Sequence, residues 1–143
     1  MKKLALFAAA LCLFLPLAAQ AQEADAQPKF NKKNLVIKEW NTDPRGGHKR
    51  LDHVTTYDAD GRKMEEIEYN TDGQKWRKRF EYDATGSKVA TEYIYDARNR
   101  LQSYKKYEYN PLGRKKVQYT YDAKGRLVGV KNCEYIAQDA AGS

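Results

Sequence analysis

The sequence predicts an all-β protein, an antiparallel meander of about eight strands joined by short hairpins. Four-residue turns that begin with Asp or Asn and end with Gly or Asn recur along the chain, and after the first interval their starts are 12 to 14 residues apart. The segments between them alternate apolar and polar side chains, as strands do. None of these segments shows the i, i+3, i+4 apolar spacing of a helix over two turns.

Each position of the turn has a physical reason. The first side chain accepts a hydrogen bond from the backbone two residues on, and the last residue takes a positive φ, which Gly adopts without strain and Asn tolerates. A type I turn followed by a left-handed residue is a hairpin connection that carries a bulge. The seven predicted turns begin and end at Asp43 and Gly46, Asp58 and Gly61, Asn70 and Gly73, Asp83 and Gly86, Asp96 and Asn99, Asn110 and Gly113, and Asp122 and Gly125.

Eight strands are predicted around these turns, at residues 34–42, 48–57, 62–69, 74–82, 87–95, 100–109, 114–121 and 126–136. Short hairpins make consecutive strands adjacent and antiparallel. The alternation is irregular in the third strand, where Met64 and Ile67 have opposite parity, and in the sixth, where Tyr104 opposes Tyr107. We expect a bulge, or a contact on the second face, in each of these two strands.

No helix is predicted to cover the apolar face of the sheet, so three arrangements are compatible with the pattern. We expect a curved open sheet. The alternative is a closed up-and-down barrel, because eight strands enclose an interior that side chains just fill. A face-to-face homodimer is the third arrangement. Charged residues along the sheet edges are expected to discourage edge-to-edge pairing.

The N-terminal segment has the form of a secretory signal peptide. A cationic start at Lys2 and Lys3 precedes an apolar run too short to span a membrane, and Ala19-Gln20-Ala21 is a small-x-small cleavage site. We predict a signal peptide at 1–21, a flexible lead-in at 22–33, the β-domain at 34–136 and a tail at 137–143. The protein is then exported, to the periplasm or beyond in a Gram-negative type of cell, with no membrane span in the mature chain.

The charge of the chain is basic but mixed. Without Lys2 and Lys3 it holds 24 basic and 19 acidic residues. A basic surplus is compatible with nucleic acid, an anionic surface or mere solubility. Export and the interspersed glutamates disfavour nucleic acid. Cys133 is the one cysteine left after cleavage, so no intramolecular disulfide can form, and we expect a buried small side chain rather than an intermolecular thiol.

The sequence assembles no catalytic or metal-binding constellation. His48 and His53 lie five residues apart on one predicted strand and therefore on opposite faces. No serine lies in a Gly-x-Ser-x-Gly setting. The Asp-x-Asp-Gly turns resemble the start of a calcium loop but lack its later ligands. We predict no catalytic residue, no metal and no cofactor.

Aromatic residues are the candidate binding surface. Alternation assigns nine of them to one face, which could stack sugar rings or dock a partner, or could simply form the core. These are Trp76, Phe80, Tyr82, Tyr93, Tyr95, Tyr107, Tyr109, Tyr119 and Tyr121. The arginines that follow the turns are expected to reach turn carboxylates in exposed pairs worth about 0–1 kcal/mol. They are Arg62, Arg100, Arg114 and Arg126.

The recurring Tyr-Asp-x-x-Gly-Arg unit resembles the YD repeat, also called the RHS repeat. It is complete from Tyr121 to Leu127 and keeps its core from Tyr57 to Arg62, and the resemblance extends over roughly 57–136. The layout is similar to that of small exported proteins common in Bacteroidetes. The resemblance implies a strand-turn architecture outside the cytoplasm. Larger members enclose toxins in a shell of sheet, for which this chain has too few repeats, and some are proposed to bind carbohydrate.

These observations predict an exported, non-enzymatic β-repeat protein that binds a glycan or a protein at the cell envelope. The alternative is a structural or dimerising envelope protein without a small ligand. A small exported hydrolase is a more remote alternative.

Overall fold

A computed structural model describes residues 30–137 of the chain. These residues form one eight-stranded antiparallel sheet whose strands lie side by side in sequence order. The strands are β1 (Val36–Thr42), β2 (Lys49–Tyr57), β3 (Lys63–Asn70), β4 (Gly73–Tyr82), β5 (Val89–Tyr95), β6 (Leu101–Tyr109), β7 (Lys115–Asp122) and β8 (Leu127–Asn132). The open meander is thus confirmed. The closed barrel is wrong, because β1 and β8 form the two opposite edges.

Some predictions fall outside the described residues. These are the signal peptide at 1–21, the first part of the lead-in and the tail beyond residue 137. The last residues of the lead-in make specific contacts: the Leu35 N–H donates to the Lys32 carbonyl at 3.2 Å, and Lys32 Nζ lies 5.3 Å from the centre of the Tyr57 ring. No helix in the described part of the chain is long and apolar enough to cross a membrane.

Every hairpin carries a bulge on the strand that follows its turn. Between β2 and β3, for example, Thr56 lies opposite Glu65 but Tyr57 lies opposite Lys63, so the pairing skips Met64. The same irregularity occurs in all seven hairpins, at Asp52, Met64, Lys75, Ala90, Gln102, Lys116 and Val128. The two expected bulges are confirmed, and the other five follow from the same turn geometry.

Successive hairpins are related by a rotation that exchanges the two faces of the sheet. The rotation is a half-turn about an axis that lies in the plane of the sheet and perpendicular to the strands, and it is combined with a shift of one strand. The residue before a turn therefore lies on one face at one end of the sheet and on the other face at the other end. We call these face 1, with Tyr57, Tyr82 and Tyr109, and face 2, with Tyr69, Tyr95 and Tyr121.

The two ends of the sheet are named in the same way. End I holds the turns at 58–61, 83–86 and 110–113, and end II holds those at 43–46, 70–73, 96–99 and 122–125.

The sheet is a single layer in the described part of the chain. Only Val117, Thr55 and Thr91 are buried, and no large side chain is fully buried. Alternation of apolar and polar side chains is typical of a strand with one covered and one exposed face, but here both faces are largely half-buried. Cys133 is half-buried rather than buried. Stability rests on the backbone ladders and on cross-strand side-chain pairs on both faces.

Candidate ligand-binding surface

The nine aromatic residues predicted to share a face lie on two. Cross-strand partners lie on the same face, and Phe80 lies opposite Glu92, whereas Tyr93 lies opposite Arg79. Face 1 carries Trp76, Phe80, Tyr82, Tyr107 and Tyr109, and face 2 carries Tyr93, Tyr95, Tyr119 and Tyr121. Alternation holds within each strand, but successive hairpins exchange the two faces, so the residues before successive turns do not share a face.

Most of these rings are covered by a cation. Lys78 Nζ lies 4.6 Å from the centre of the Trp76 ring, and Lys115 Nζ lies 4.0 Å from that of Tyr107. Similar contacts cover Phe80 (by Lys63), Tyr82 (by Arg62), Tyr95 (by Arg77), Tyr109 (by Lys88) and Tyr121 (by Lys106). Such pairs stabilise the sheet. A neutral sugar that stacked on one of these rings would first have to displace its cation.

The centre of face 1 is an internally satisfied network. The Tyr107 hydroxyl donates to Glu92 at 2.7 Å, and Lys78 and Lys105 lie 3.9 and 3.8 Å from the same carboxylate. Burial, with this hydrogen bond to a carboxylate, raises the pKa of Tyr107. His53 contacts Glu66 at 3.1 Å. The Tyr107 hydroxyl and both lysines converge on one carboxylate, so this network holds the face together.

The turns hold their arginines by a recurring clamp. In the turn at 122–125, one carboxylate oxygen of Asp122 accepts the N–H groups of Lys124 and Arg126, and the other accepts Arg126 Nε at 2.7 Å. The turns at Asp58 and Asp96 repeat these three bonds. The arginine backbone N–H is the main cause that lowers the pKa of all three aspartates. The expectation for Arg62, Arg100 and Arg126 is confirmed.

Arg114 is the exception. Its turn begins with Asn110, whose side-chain oxygen accepts the Arg114 N–H at 2.9 Å but carries no charge. The Arg114 guanidinium lies instead over the Tyr135 ring, 5.2 Å from its centre. The expectation that Arg114 reaches a turn carboxylate is therefore wrong, because this turn has none.

Three lysines accompany Arg114 at end I. Lys88 Nζ lies beside the turn, 3.1 Å from where a Cβ on Gly113 would stand, and Lys115 and Lys116 follow Arg114 along the chain. We call Lys88, Arg114, Lys115 and Lys116 the basic cluster. None of its members forms an ion pair with another described residue. The sequence signal that could have revealed it is Asn in the Asp position ahead of three consecutive basic residues.

Anchored tyrosines position the basic cluster. The Tyr109 hydroxyl donates to the Val89 carbonyl at 2.7 Å, and the Tyr135 hydroxyl donates to the Lys115 carbonyl at 2.8 Å. Burial raises the pKa of Tyr109. Leu112 at the tip of the turn is 80% exposed and Tyr135 is 49% exposed. Free positive charge thus lies beside accessible apolar surface.

The remaining features suggest no chemistry of their own. An open hollow of about 380 Å³ at end I is lined by Arg62, Met64, Phe80, Glu81, Tyr82 and Asp83. A second, of about 330 Å³, lies at the first hairpin beside His48. Residues 30–137 contain no group of three His, Cys, Asp or Glu side chains that could hold a metal ion.

Comparison with known families supports the repeat. Residues 95–132 match the family model described as RHS Repeat, so the resemblance to the YD repeat is confirmed for this segment. The segment includes β6, β7 and β8 and the basic residues 114–116. RHS repeats are β-repeats that often have interaction or envelope roles and generally are not catalytic domains. No curated protein matches the chain.

Proposed function

We propose that this β-repeat protein is a non-enzymatic binding module that holds an anionic glycan at the cell envelope through the basic cluster. One observation carries the proposal. Arg114 occupies the same position in the repeat as Arg62, Arg100 and Arg126, yet its turn supplies no carboxylate to neutralise it. Its charge is therefore available to a ligand.

The chemistry of the basic cluster suits a sugar that carries carboxylate or sulfate groups. A guanidinium binds such groups through paired N–H donors, and lysine ammonium groups add charge at several positions. Exposed Leu112 offers apolar contact to the pyranose rings. The mature chain, with 24 basic and 19 acidic residues, has a positive net charge that draws an anionic polymer toward the surface.

Two other ligands fit less well. A neutral glycan would need open aromatic rings, but most rings of both faces lie under a cation. Nucleic acid would be drawn by the same charge, but the predicted export separates the protein from it. The proposal therefore includes export, and sequencing of the N-terminus of protein recovered from the envelope fraction checks it. We expect the mature chain to begin at Gln22.

The binding test uses fluorescently labelled polymers of equal length: a sulfated polysaccharide, a polyuronate, a neutral glucan and single-stranded DNA. We expect the two acidic polysaccharides to bind and their affinity to fall as salt screens the charges. Arg114→Ala should weaken binding about tenfold, the loss of one charged contact. Arg126→Ala is the matched control, because it removes the same charge from a clamped arginine and should leave affinity within about twofold.

Three results would overturn the proposal. Equal losses for Arg114→Ala and Arg126→Ala would show a general charge effect rather than a site. Binding of the neutral glucan as tight as that of the acidic polymers would remove the role of charge. Tighter binding of DNA than of either acidic polysaccharide would assign the cluster to nucleic acid.

A further inference from the structure

Exposed large apolar residues concentrate at the two edges of the sheet. In the described part of the chain only Met64 and Leu112 lie elsewhere. The edge residues are Phe30, Val36 and Trp40 on the β1 side and Leu127, Val128, Val130, Tyr135 and Ile136 on the β8 side. An edge strand has one neighbour and is more exposed for that reason alone, but natural edges usually carry charges that prevent pairing. β8 carries one charged residue, Lys131, so the expectation of charge-protected edges is wrong there.

Both edge strands, β1 and β8, direct some of their backbone N–H and carbonyl groups out of the sheet, at positions where the two edges could pair. The Leu35 carbonyl accepts the Tyr57 N–H, which directs Leu35 toward β2. Because these directions alternate along a strand, Trp40 directs its N–H and carbonyl away from the sheet. On the other side the Cys133 N–H donates to the Lys116 carbonyl on β7, so Val130 directs its groups outward.

We infer that β1 of one copy pairs antiparallel with β8 of the next copy, so that copies join edge to edge into one continuous sheet. The number of strands is even, so β1 and β8 run in opposite directions. A second copy shifted along the sheet therefore brings its β1 antiparallel to β8, with face 1 and face 2 each continuous.

Side chains select the register of this pairing. With Val130 opposite Trp40 of the next copy, two exposed apolar side chains meet on face 2. The adjacent pair is then Lys131 opposite Glu39 on face 1, so opposite charges meet. All of β1 then pairs with residues 128–134. Because the two surfaces are different, each added copy leaves a free edge, and the assembly is open rather than closed.

The first test blocks the edges one at a time. Val130→Pro removes an outward N–H from β8, and Trp40→Pro does the same on β1, without loss of an inner ladder bond. In sedimentation velocity the natural protein should form larger species as its concentration rises. Each variant alone should remain a monomer, and an equal mixture of the two should form a 1:1 dimer and nothing larger.

The second test addresses the register. Lys131→Glu and Glu39→Lys should each raise the concentration needed for assembly about tenfold, and the double variant should restore it. Circular dichroism checks that each variant is folded. If a proline variant is not, Val130→Lys and Trp40→Lys replace the pair, because they keep the backbone donors.

Several outcomes would overturn the inference. The first is a natural protein that stays monomeric at every concentration. The second is dimerisation of Trp40→Pro alone, which would indicate that β8 pairs with β8. The third is failure of the double charge variant to restore assembly. The proposed glycan function is tested separately, because Arg114→Ala changes none of the residues that pair, 36–42 and 128–134, and this variant should assemble normally.

Discussion

Strand β7 lies between two turns of the same motif that treat their arginines differently. The turn before it, at 110–113, and the turn after it, at 122–125, close with the same backbone hydrogen bond, 2.8 and 3.0 Å long. Their glycines have similar φ values of 74° and 80°. The difference is the first side chain, since Asn110 leaves Arg114 unpaired by its turn and Asp122 clamps Arg126.

The turn motif needs the hydrogen-bonding oxygen of its first side chain for folding, but it does not need the negative charge. Asn and Asp both accept the backbone N–H groups that shape the turn, so either residue supports the hairpin. Only the carboxylate neutralises the arginine. A change of one functional group therefore keeps the fold and releases a charge, and the four predictions below test that separation.

The largest expected effect is the loss of stability on replacement of the two turn glycines. Gly113→Ala and Gly125→Ala should each destabilise the fold by about 1–2 kcal/mol, because an L-residue is strained at positive φ. Only Gly113→Ala should also weaken glycan binding, since its Cβ would stand 3.1 Å from Lys88 Nζ and shift that ammonium group, whereas at Gly125 the nearest atom is the Tyr104 hydroxyl oxygen at an ordinary 3.5 Å. Urea unfolding and glycan titration measure the two effects, and an equal loss of affinity in both variants would contradict the prediction.

The second largest effect should be a difference in stability between variants of the two tyrosines that precede these turns, Tyr109 and Tyr121. Tyr109→Phe removes the hydrogen bond to the Val89 carbonyl and should cost about 1 kcal/mol of unfolding free energy. Tyr121→Phe is the control, because the Tyr121 hydroxyl makes no hydrogen bond to another described residue and its ring stacks on Tyr104 at 4.8 Å in either form. Urea unfolding compares the two, and equal losses would show that the bond at end I contributes nothing.

A carboxylate at position 110 should make the turn at 110–113 bind its arginine as the turn at 122–125 does. Asn110→Asp gives Arg114 the partner that Arg126 has, so affinity for an acidic polysaccharide should fall several-fold, as expected for the loss of less than about 1.4 kcal/mol. Thermal stability should not decrease, because the backbone bonds remain. Asn70→Asp is the control at a turn without a following arginine. Unchanged affinity for Asn110→Asp would exclude a role for the free charge of Arg114.

The smallest effect is the pH dependence of the clamp. The Asp122 pKa is lowered from 3.8, chiefly by the Arg126 backbone N–H, so the folded protein holds the charged form more strongly than the unfolded chain does. This contribution is complete above the unfolded pKa and is lost as the pH falls through the folded one. The stability difference between the natural protein and Asp122→Asn, measured by urea unfolding, should therefore be largest at neutral pH and shrink below about pH 4. A difference that grows in acid would contradict this sign.

Local chemistry made the strands and turns predictable. A turn such as 122–125 is set by hydrogen bonds within five residues, from Asp122 to Arg126, so its sequence suffices. Even Asn99 in the glycine position of its turn was predicted correctly. The parity conflict at Met64 marks a bulge, whereas the conflict at Tyr104 marks a contact on the second face, where its ring stacks on Tyr121; the bulge of that strand is at Gln102. The other five bulges left no conflict in the pattern, although the same turn type implies them.

The candidate site was less predictable, because it depends on neighbours distant in sequence. Lys88 lies beside the turn that precedes Arg114 only because β5, β6 and β7 lie side by side, and Tyr135 reaches Arg114 from beyond β8. The sequence shows that Asn110 departs from the motif, but not that Arg114 and the lysines of the basic cluster lie together without carboxylate partners.

The sequence alone determined the all-β class, the turns and their order, because each turn is stabilised by its own residues. The tertiary structure decided which aromatic side chains share a face, that the sheet stays open with two unlike edges, and that Lys88 lies beside the turn that precedes Arg114. These properties depend on strand register and on the half-turn between successive hairpins, and both arise only when the strands pair.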